Sequence, residues 1–192
     1  DPSGGDTLWL SPTPDIPASQ FHLGTRPRLV TWNTLETIGT GQAFVFGTTH
    51  LEAVNPTHRR RSARLLRQYV SGRVAELGPQ TPVFLTGDFN AVATSPEIRA
   101  MASPRGTLEP MYDAWTAAGN DESSAGATFR GLGLRDRMGH LLMGHRRIDY
   151  VFFRPRPIIR SVCRIDFAGL DHRKRALPSD HYPVMAEFAL TG

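Results

Sequence analysis

Three short segments carry residue types that bind metal or move protons: Thr49-His50-Leu51-Glu52, Gly87-Asp88-Phe89-Asn90 and Ser179-Asp180-His181. Asp88 closes the apolar run Pro82-Val83-Phe84-Leu85-Thr86, and His50 closes the β-prone run that begins Ala43-Phe44-Val45-Phe46, so both stand where a strand ends. Alternate residues of an extended chain face the same side, so Asp88 and Asn90 are expected to address one site. An ionised carboxylate there accepts a proton from water or holds a cation, and a neutral amide donates to a phosphate oxygen without repelling it. Gly, Asp and Asn are also turn formers, and the tetrapeptide reads equally well as a turn.

Asp180 and His181 follow Ser179 and precede Pro183, which lacks a backbone donor and fits the start of an edge strand. An adjacent Asp and His suit a divalent cation and a leaving group, although such a pair also serves loop packing. His50 alone reads as a histidine at the core's edge. Asp149 interrupts the apolar run Ile148 to Phe153, where a buried carboxylate must be paired. Fixing the tautomer of a histidine is one way to pair it.

The elements that must position these groups are legible in outline. Leu29-Val30-Thr31-Trp32 and Ala43-Phe44-Val45-Phe46 flank the turn Gly39-Thr40-Gly41 and predict a hairpin. Asn55-Pro56 offers an N-cap and a first-turn proline. Leu66, Tyr69, Val70, Val74 and Leu77 then recur at helical spacing up to Gly78-Pro79. The helix's basic residues Arg59, Arg60, Arg61, Arg64, Arg67 and Arg73 read as a solvated face, with phosphate contact as the alternative. Ser95-Pro96-Glu97 opens a short helix through Met101; strands are expected at Arg147 to Phe153, Ser161 to Phe167 and Pro183 to Leu190. The region before Leu29 reads as a loop with one strand at Leu8-Trp9-Leu10, and residues 119 to 147 read as loop, including a glycine- and arginine-rich stretch from Arg130 to Arg147. Strands with intervening helices and no internal repeat predict one α/β domain over residues 1–192.

Taken in order, Thr-His-Leu, Gly-Asp-Phe-Asn, Arg-Ile-Asp-Tyr-Val-Phe and Ser-Asp-His-Tyr-Pro-Val resemble the endonuclease/exonuclease/phosphatase superfamily, the deoxyribonuclease I-like fold. Trp9-Leu10-Ser11 through Pro14-Asp15 is similar to a segment common in bacterial members. The resemblance implies a four-layer α/β/β/α sandwich and a metal-dependent phosphoester hydrolase, a phosphodiesterase, nuclease or phosphatase. It implies that Asp88 prepares the attacking water, that Asn90 and His50 hold the scissile phosphate, and that Asp149 orients His50. Asp180 is expected to bind Mg2+ or Mn2+ or to support its neighbour, and His181 to stabilise the transition state or leaving group.

Family members begin with a strand bearing an Asn, followed by a Glu that is the principal metal ligand, and both would precede Leu8. The chain is therefore expected to be N-terminally incomplete, to match the family's C-terminal two-thirds, and to need a missing N-terminal segment or a second chain for full activity. Val30-Thr31-Trp32-Asn33-Thr34-Leu35-Glu36 is similar to that opening strand, but it leads at once into the turn before His50, which argues against Asn33 and Glu36 as site residues. Glu52 is expected at the rim, with a place near the site, partly substituting for the missing carboxylate, as the alternative. The rival reading is a catalytically impaired module that binds phosphate-bearing ligands without turning them over.

Composition narrows the classes further. With 192 residues, 40% hydrophobic and 21% charged, the chain can bury one ordinary core. A net charge of +4 suits a phosphoester substrate, nucleic acid among the candidates. Cys163 is the only cysteine, so no internal disulfide forms. No apolar run approaches the roughly 20 residues of a membrane-spanning helix, and no secretory signal is visible.

Overall fold

Alternation along the apolar runs sets which side of a sheet each residue faces, and that parity organises the whole molecule. The computed structural model describes residues 5–22, 25–103, 108, 110–122, 126–129, 146–154, 158–164 and 179–190. Six strands form one sheet in the order β1-β2-β3-β4-β6-β5. They are β1 (Gly5–Trp9), β2 (Leu29–Glu36), β3 (Ala43–His50), β4 (Val83–Asp88), β5 (Tyr112–Asp113) and β6 (Asp149–Arg154). A second, two-stranded sheet pairs β7 (Ile158–Arg164) with β8 (Val184–Ala189). The helices are α1 (Pro56–Leu77), α2 (Pro96–Ala102) and α3 (Ala114–Ala117).

The β2–β3 hairpin and α1 form where the sequence places them. Asn55 caps α1 by accepting from the N–H groups of Thr57 and His58, Pro56 occupies the first turn, and Gly78 ends the helix at φ 105°. Helix α1 links β3 to β4, and the two strands run parallel, so their C-terminal ends lie at the same end of the sheet. Strand β6 runs antiparallel to β4 and begins at that end.

One face of the sheet packs on the helices. Val45, Val83, Leu85, Tyr150 and Phe152 share a buried core with Ala63, Leu66, Val70 and Val74 of α1 and with Ile98 and Met101 of α2. The other face packs on the small sheet, where Phe84 and Phe153 meet Val162, Ala186 and Phe188, with Trp115 of α3 in the same cluster. Phe188 lies 4.9 Å from the Phe84 ring and 5.2 Å from the Phe153 ring. Fully burying such a side chain contributes about 1.5–3 kcal/mol. Helix, large sheet and small sheet are thus layered in a mixed α/β fold, as expected. The outer helical layer of the expected sandwich is not among the described residues. Nor is any described helix long and apolar enough to cross a membrane.

The small elements β5 and α3 were not foreseen, because two and four residues are too few to show a period. Strand β7 begins before the expected Ser161. Residues 165–167 of that expected strand, and 130–145 of the glycine- and arginine-rich stretch, lie outside the described residues. The basic face of α1 is not simply solvated. Arg67 is buried and donates to the Ala100 and Leu108 carbonyls, while Arg59 pairs with Glu97 at 2.8 Å and donates to the Glu52 and Ala53 carbonyls.

Candidate active site

Register brings three of the expected residues into one row. His50 is paired with Asp88 across β3 and β4, and Asp88 with Asp149 across β4 and β6. Parity sends all three side chains to one face: Phe84 and Phe153 lie in the core under the small sheet, and Asp88 and Asp149 stand an even number of residues from them. His50 follows Phe44, which packs against the same cluster. His181 arrives from the loop before β8, held by backbone bridging to Phe129 and by the Ser179 hydroxyl, which accepts from its N–H at 3.0 Å. Its ring lies 5.0 Å from that of Phe129.

Within the row, His181 Nδ1 is 2.8 Å from Asp149 Oδ2, and His50 Nε2 is 3.3 Å from Asp88 Oδ2. His181 Nε2 stands 4.0 Å from the same Asp88 oxygen. The expected pairing of Asp149 with His50 is therefore corrected: Asp149 orients His181, and the near partner of His50 is Asp88. The reason is reach, because the loop before β8 lays His181 over Asp149 while His50 projects from β3 directly beside Asp88.

Asn90 joins the site by a turn rather than by strand alternation. The strand ends at Asp88, Asn90 takes a left-handed φ of 50°, its N–H donates to Asp88 Oδ1 at 2.7 Å, and its amide donates to the Leu51 carbonyl at 3.0 Å. The turn reading of the tetrapeptide holds, and the turn keeps Asn90 beside Asp88. Asp180 is exposed, and it does not join the acidic cluster of Asp88, Asp149 and His181. The ligand atoms that do gather, within 4.8 Å of one another, belong to Asp88, Asp149 and His181. Two carboxylates and an imidazole suit a divalent cation that keeps part of its water shell.

Asn33 and Glu36 lie away from this end. They pair with Phe46 and Ala43, about 13 Å and 23 Å along β3 from His50 at the usual strand rise. Glu52 is buried rather than at the rim; its carboxylate accepts from the Val54 N–H at 3.0 Å and lies 3.8 Å from Arg28.

Two supports escaped sequence reasoning. The Thr128 hydroxyl accepts from the N–H groups of both Ile148 and Asp149, each at 3.1 Å, and the Thr128 carbonyl accepts from Tyr182 N–H at 2.7 Å, so one residue ties Asp149 to the His181 loop. Buried Arg147 anchors the start of β6 through Asp113 at 2.7 Å, through Glu122, and by stacking 4.3 Å from the Tyr150 ring centre. Only the isolated Thr128-Phe129 pair in a loop-like region hinted at the first. An arginine heading an apolar strand was the sole sign of the second.

The two imidazoles are set apart electrostatically. The hydrogen bond to Asp149 raises the His181 pKa against the opposing effect of burial, with Asp149 and Asp88 charges adding to it. Burial, then the Arg28 guanidinium, lowers that of His50. Burial also raises Asp88, partly offset by the Asn90 N–H. In metal-free protein, imidazole proton NMR is expected to show His181 titrating above the ordinary value of about 6.5 and His50 below it. Asp149→Asn should move His181 downward by far the more. The reverse order of the two titrations would show that burial, not the Asp149 bond, governs His181.

Gly87 lets β3 approach so closely. It has φ 144°, and a Cβ there would lie 1.8 Å from the Thr49 carbonyl oxygen. Gly87→Ala is expected to destabilise the fold by about 3 kcal/mol or more, read from denaturant unfolding. A loss under about 1 kcal/mol would mean that the two strands part without cost.

The model of the Endonuclease/Exonuclease/phosphatase family matches residues 7–181. No curated protein matches the chain. Solved structures with this fold include an endonuclease/exonuclease/phosphatase from Bacteroides vulgatus, 24% identical, with TM-score 0.77 over 97% of this chain and 65% of that one. A mannosyl-6-phosphatase from Bacteroides thetaiotaomicron is 24% identical, with TM-score 0.73 over 97% of this chain and 68% of its own. D. rerio TDP2, complexed with a single-strand DNA product, is 18% identical, with TM-score 0.65 over 95% of this chain and 65% of that one. The chain thus spans about two-thirds of the length of these structures.

Proposed function

The chain belongs to the endonuclease/exonuclease/phosphatase family, and from that premise we propose that it hydrolyses phosphate esters with the help of a divalent cation. The observation that carries this reading is the row of His50, Asp88 and Asp149 at one strand end, with His181 hydrogen-bonded to Asp149 beside it.

Asp88 takes a proton from the attacking water as the water oxygen bonds to phosphorus. The bond from phosphorus to the leaving oxygen breaks, and protonated His181 gives that oxygen its proton. Asp149 holds the His181 ring and favours the charged imidazolium. Asn90 and the exposed edge of His50 hold the phosphate at the mouth, with Asn90 keeping one amide hydrogen beyond its bond to Leu51. His181 charged and His50 neutral leave one of the two carboxylate charges uncompensated, which suits a cation more than a bare phosphate. Asp88 and Asp149 would hold Mg2+ or Mn2+, which supplies charge neutralisation at the nonbridging phosphate oxygens.

A sugar phosphate and a nucleic acid are both in scope, since the structural relatives include a mannosyl-6-phosphatase and a protein bound to a DNA product. The net charge of +4 tilts the choice towards nucleic acid. The test is hydrolysis of bis-p-nitrophenyl phosphate, p-nitrophenyl phosphate and a short single-stranded oligonucleotide. Turnover is expected with Mg2+ or Mn2+ and should vanish with a chelator. Saturable binding of these compounds with no turnover under any cation would instead favour the impaired phosphate-binding module.

A further inference from the structure

Thr128 is fully buried, and each of its polar groups is bonded to an approach to the catalytic row. Its hydroxyl oxygen accepts from the N–H groups of Ile148 and Asp149, each at 3.1 Å, and its own N–H donates to the Arg146 carbonyl at 2.9 Å. Its carbonyl accepts from Tyr182 N–H at 2.7 Å. Arg146 to Asp149 lead into β6, and Tyr182 follows His181. Thr128 thus stands between the two residues that lie 2.8 Å apart in the site, Asp149 on one side and His181 on the other. Phe129 continues the bracket: its backbone bridges to both Arg146 and His181, and its ring lies 5.0 Å from the imidazole.

The hydroxyl is what distinguishes this residue. The backbone bonds are open to any side chain at position 128, whereas one acceptor shared by two adjacent amides needs a side-chain oxygen in this place. Ile148 is buried, so its N–H does not turn to bulk water when that oxygen is removed. Such a loss is relieved by movement of the start of β6, and Asp149 moves with it. A hydrogen bond weakens steeply with distance and angle, so even a small shift at Asp149 is felt at His181.

We propose that Thr128 is a positioning residue, whose hydroxyl sets the start of β6 so that Asp149 meets His181. Its consequence for rate rests on the hydrolase reading; its hold on the pair does not.

The test compares the wild type with Thr128→Val, which removes the oxygen at similar size, and with Thr128→Ser, which keeps it. In metal-free protein without substrate, proton NMR is expected to show a downfield resonance for the proton between His181 Nδ1 and Asp149. That resonance should move upfield or vanish in the valine variant and return in the serine variant. Amide exchange at Ile148 and Asp149 should rise about tenfold or more with valine while the amides of β3 keep their rates. In hydrolysis assays, kcat is expected to fall about tenfold with valine and to recover with serine, as for other groups that aim a site residue, with KM held within about twofold. A merely structural Thr128 would lower the unfolding midpoint and leave resonance and kcat in place, which would overturn the proposal. Equal losses with serine and valine would also overturn it, because the oxygen would then be immaterial. The wild type supplies a check that needs no folded variant: an Asp149 amide exchanging as fast as an open loop would be equally fatal. A shifted resonance in a protein that hydrolyses no phosphate ester would remove the hydrolase reading and leave the positioning role standing.

Discussion

Asp88→Asn is expected to lower kcat by about 10²- to 10⁴-fold, the usual contribution of a positioned general base, without loss of fold. The substitution keeps an oxygen to accept the Asn90 N–H, which Asp88 Oδ1 now receives at 2.7 Å, so the turn after β4 survives. It also removes one of two neighbouring carboxylates from a site where burial and Asp149 both raise the Asp88 pKa. Stability should therefore hold or rise slightly. The amide cannot take a proton from water and offers the cation a weaker ligand, so both parts of the proposed role fail together. Separating them requires cation titration: an effect through metal alone would be relieved by saturating Mn2+, whereas loss of the base persists. A folded Asp88→Asn protein with near-normal kcat would remove Asp88 from the mechanism.

His181→Ala is expected to cost about 10²- to 10³-fold in kcat, the scale seen when one preorganised donor to a transition state is deleted. His181 is less than a third exposed at its side chain, and its backbone bridge to Phe129 does not depend on the imidazole. The protein should fold. Asp149→Asn keeps the ring present but removes the charge that aims and protonates it, so a smaller loss of about 10- to 100-fold is expected. A purely structural role for Asp149 would leave the alkaline limb of the rate profile where it was. The proposed role has a definite sign: the His181 pKa is raised in the wild type, so in Asp149→Asn the active, protonated fraction is lost at lower pH. An effect of His181→Ala on KM alone would reassign the residue to binding.

Residues adjacent in sequence already contained much of this molecule. Local rules sufficed for α1, because an Asn cap, a first-turn proline and a terminal glycine act within a few residues of themselves. The apolar runs became β4 and β6, and the motifs at their ends marked His50, Asp88, Asp149 and His181 as the residues to watch. Which histidine Asp149 serves was not legible, since that depends on where the loop before β8 crosses the end of β6. Spacing along a chain says nothing of such a crossing.

The same limit explains Asp180, which stands beside His181 in sequence yet faces solvent, and Arg67, whose basic charge suggested the surface although packing of α2 buried it. Thr128 and Arg147 hold the site through partners roughly 20 to 55 residues away, as their hydrogen bonds show. The sequence by itself determined the longer elements and the chemical inventory of the site, because propensity, capping and alternation are local. Only the tertiary structure decided the pairings, because β3, β4 and β6 meet in register through packing between residues far apart in the chain, and a hydrogen bond depends on tenths of an ångström that no local pattern encodes.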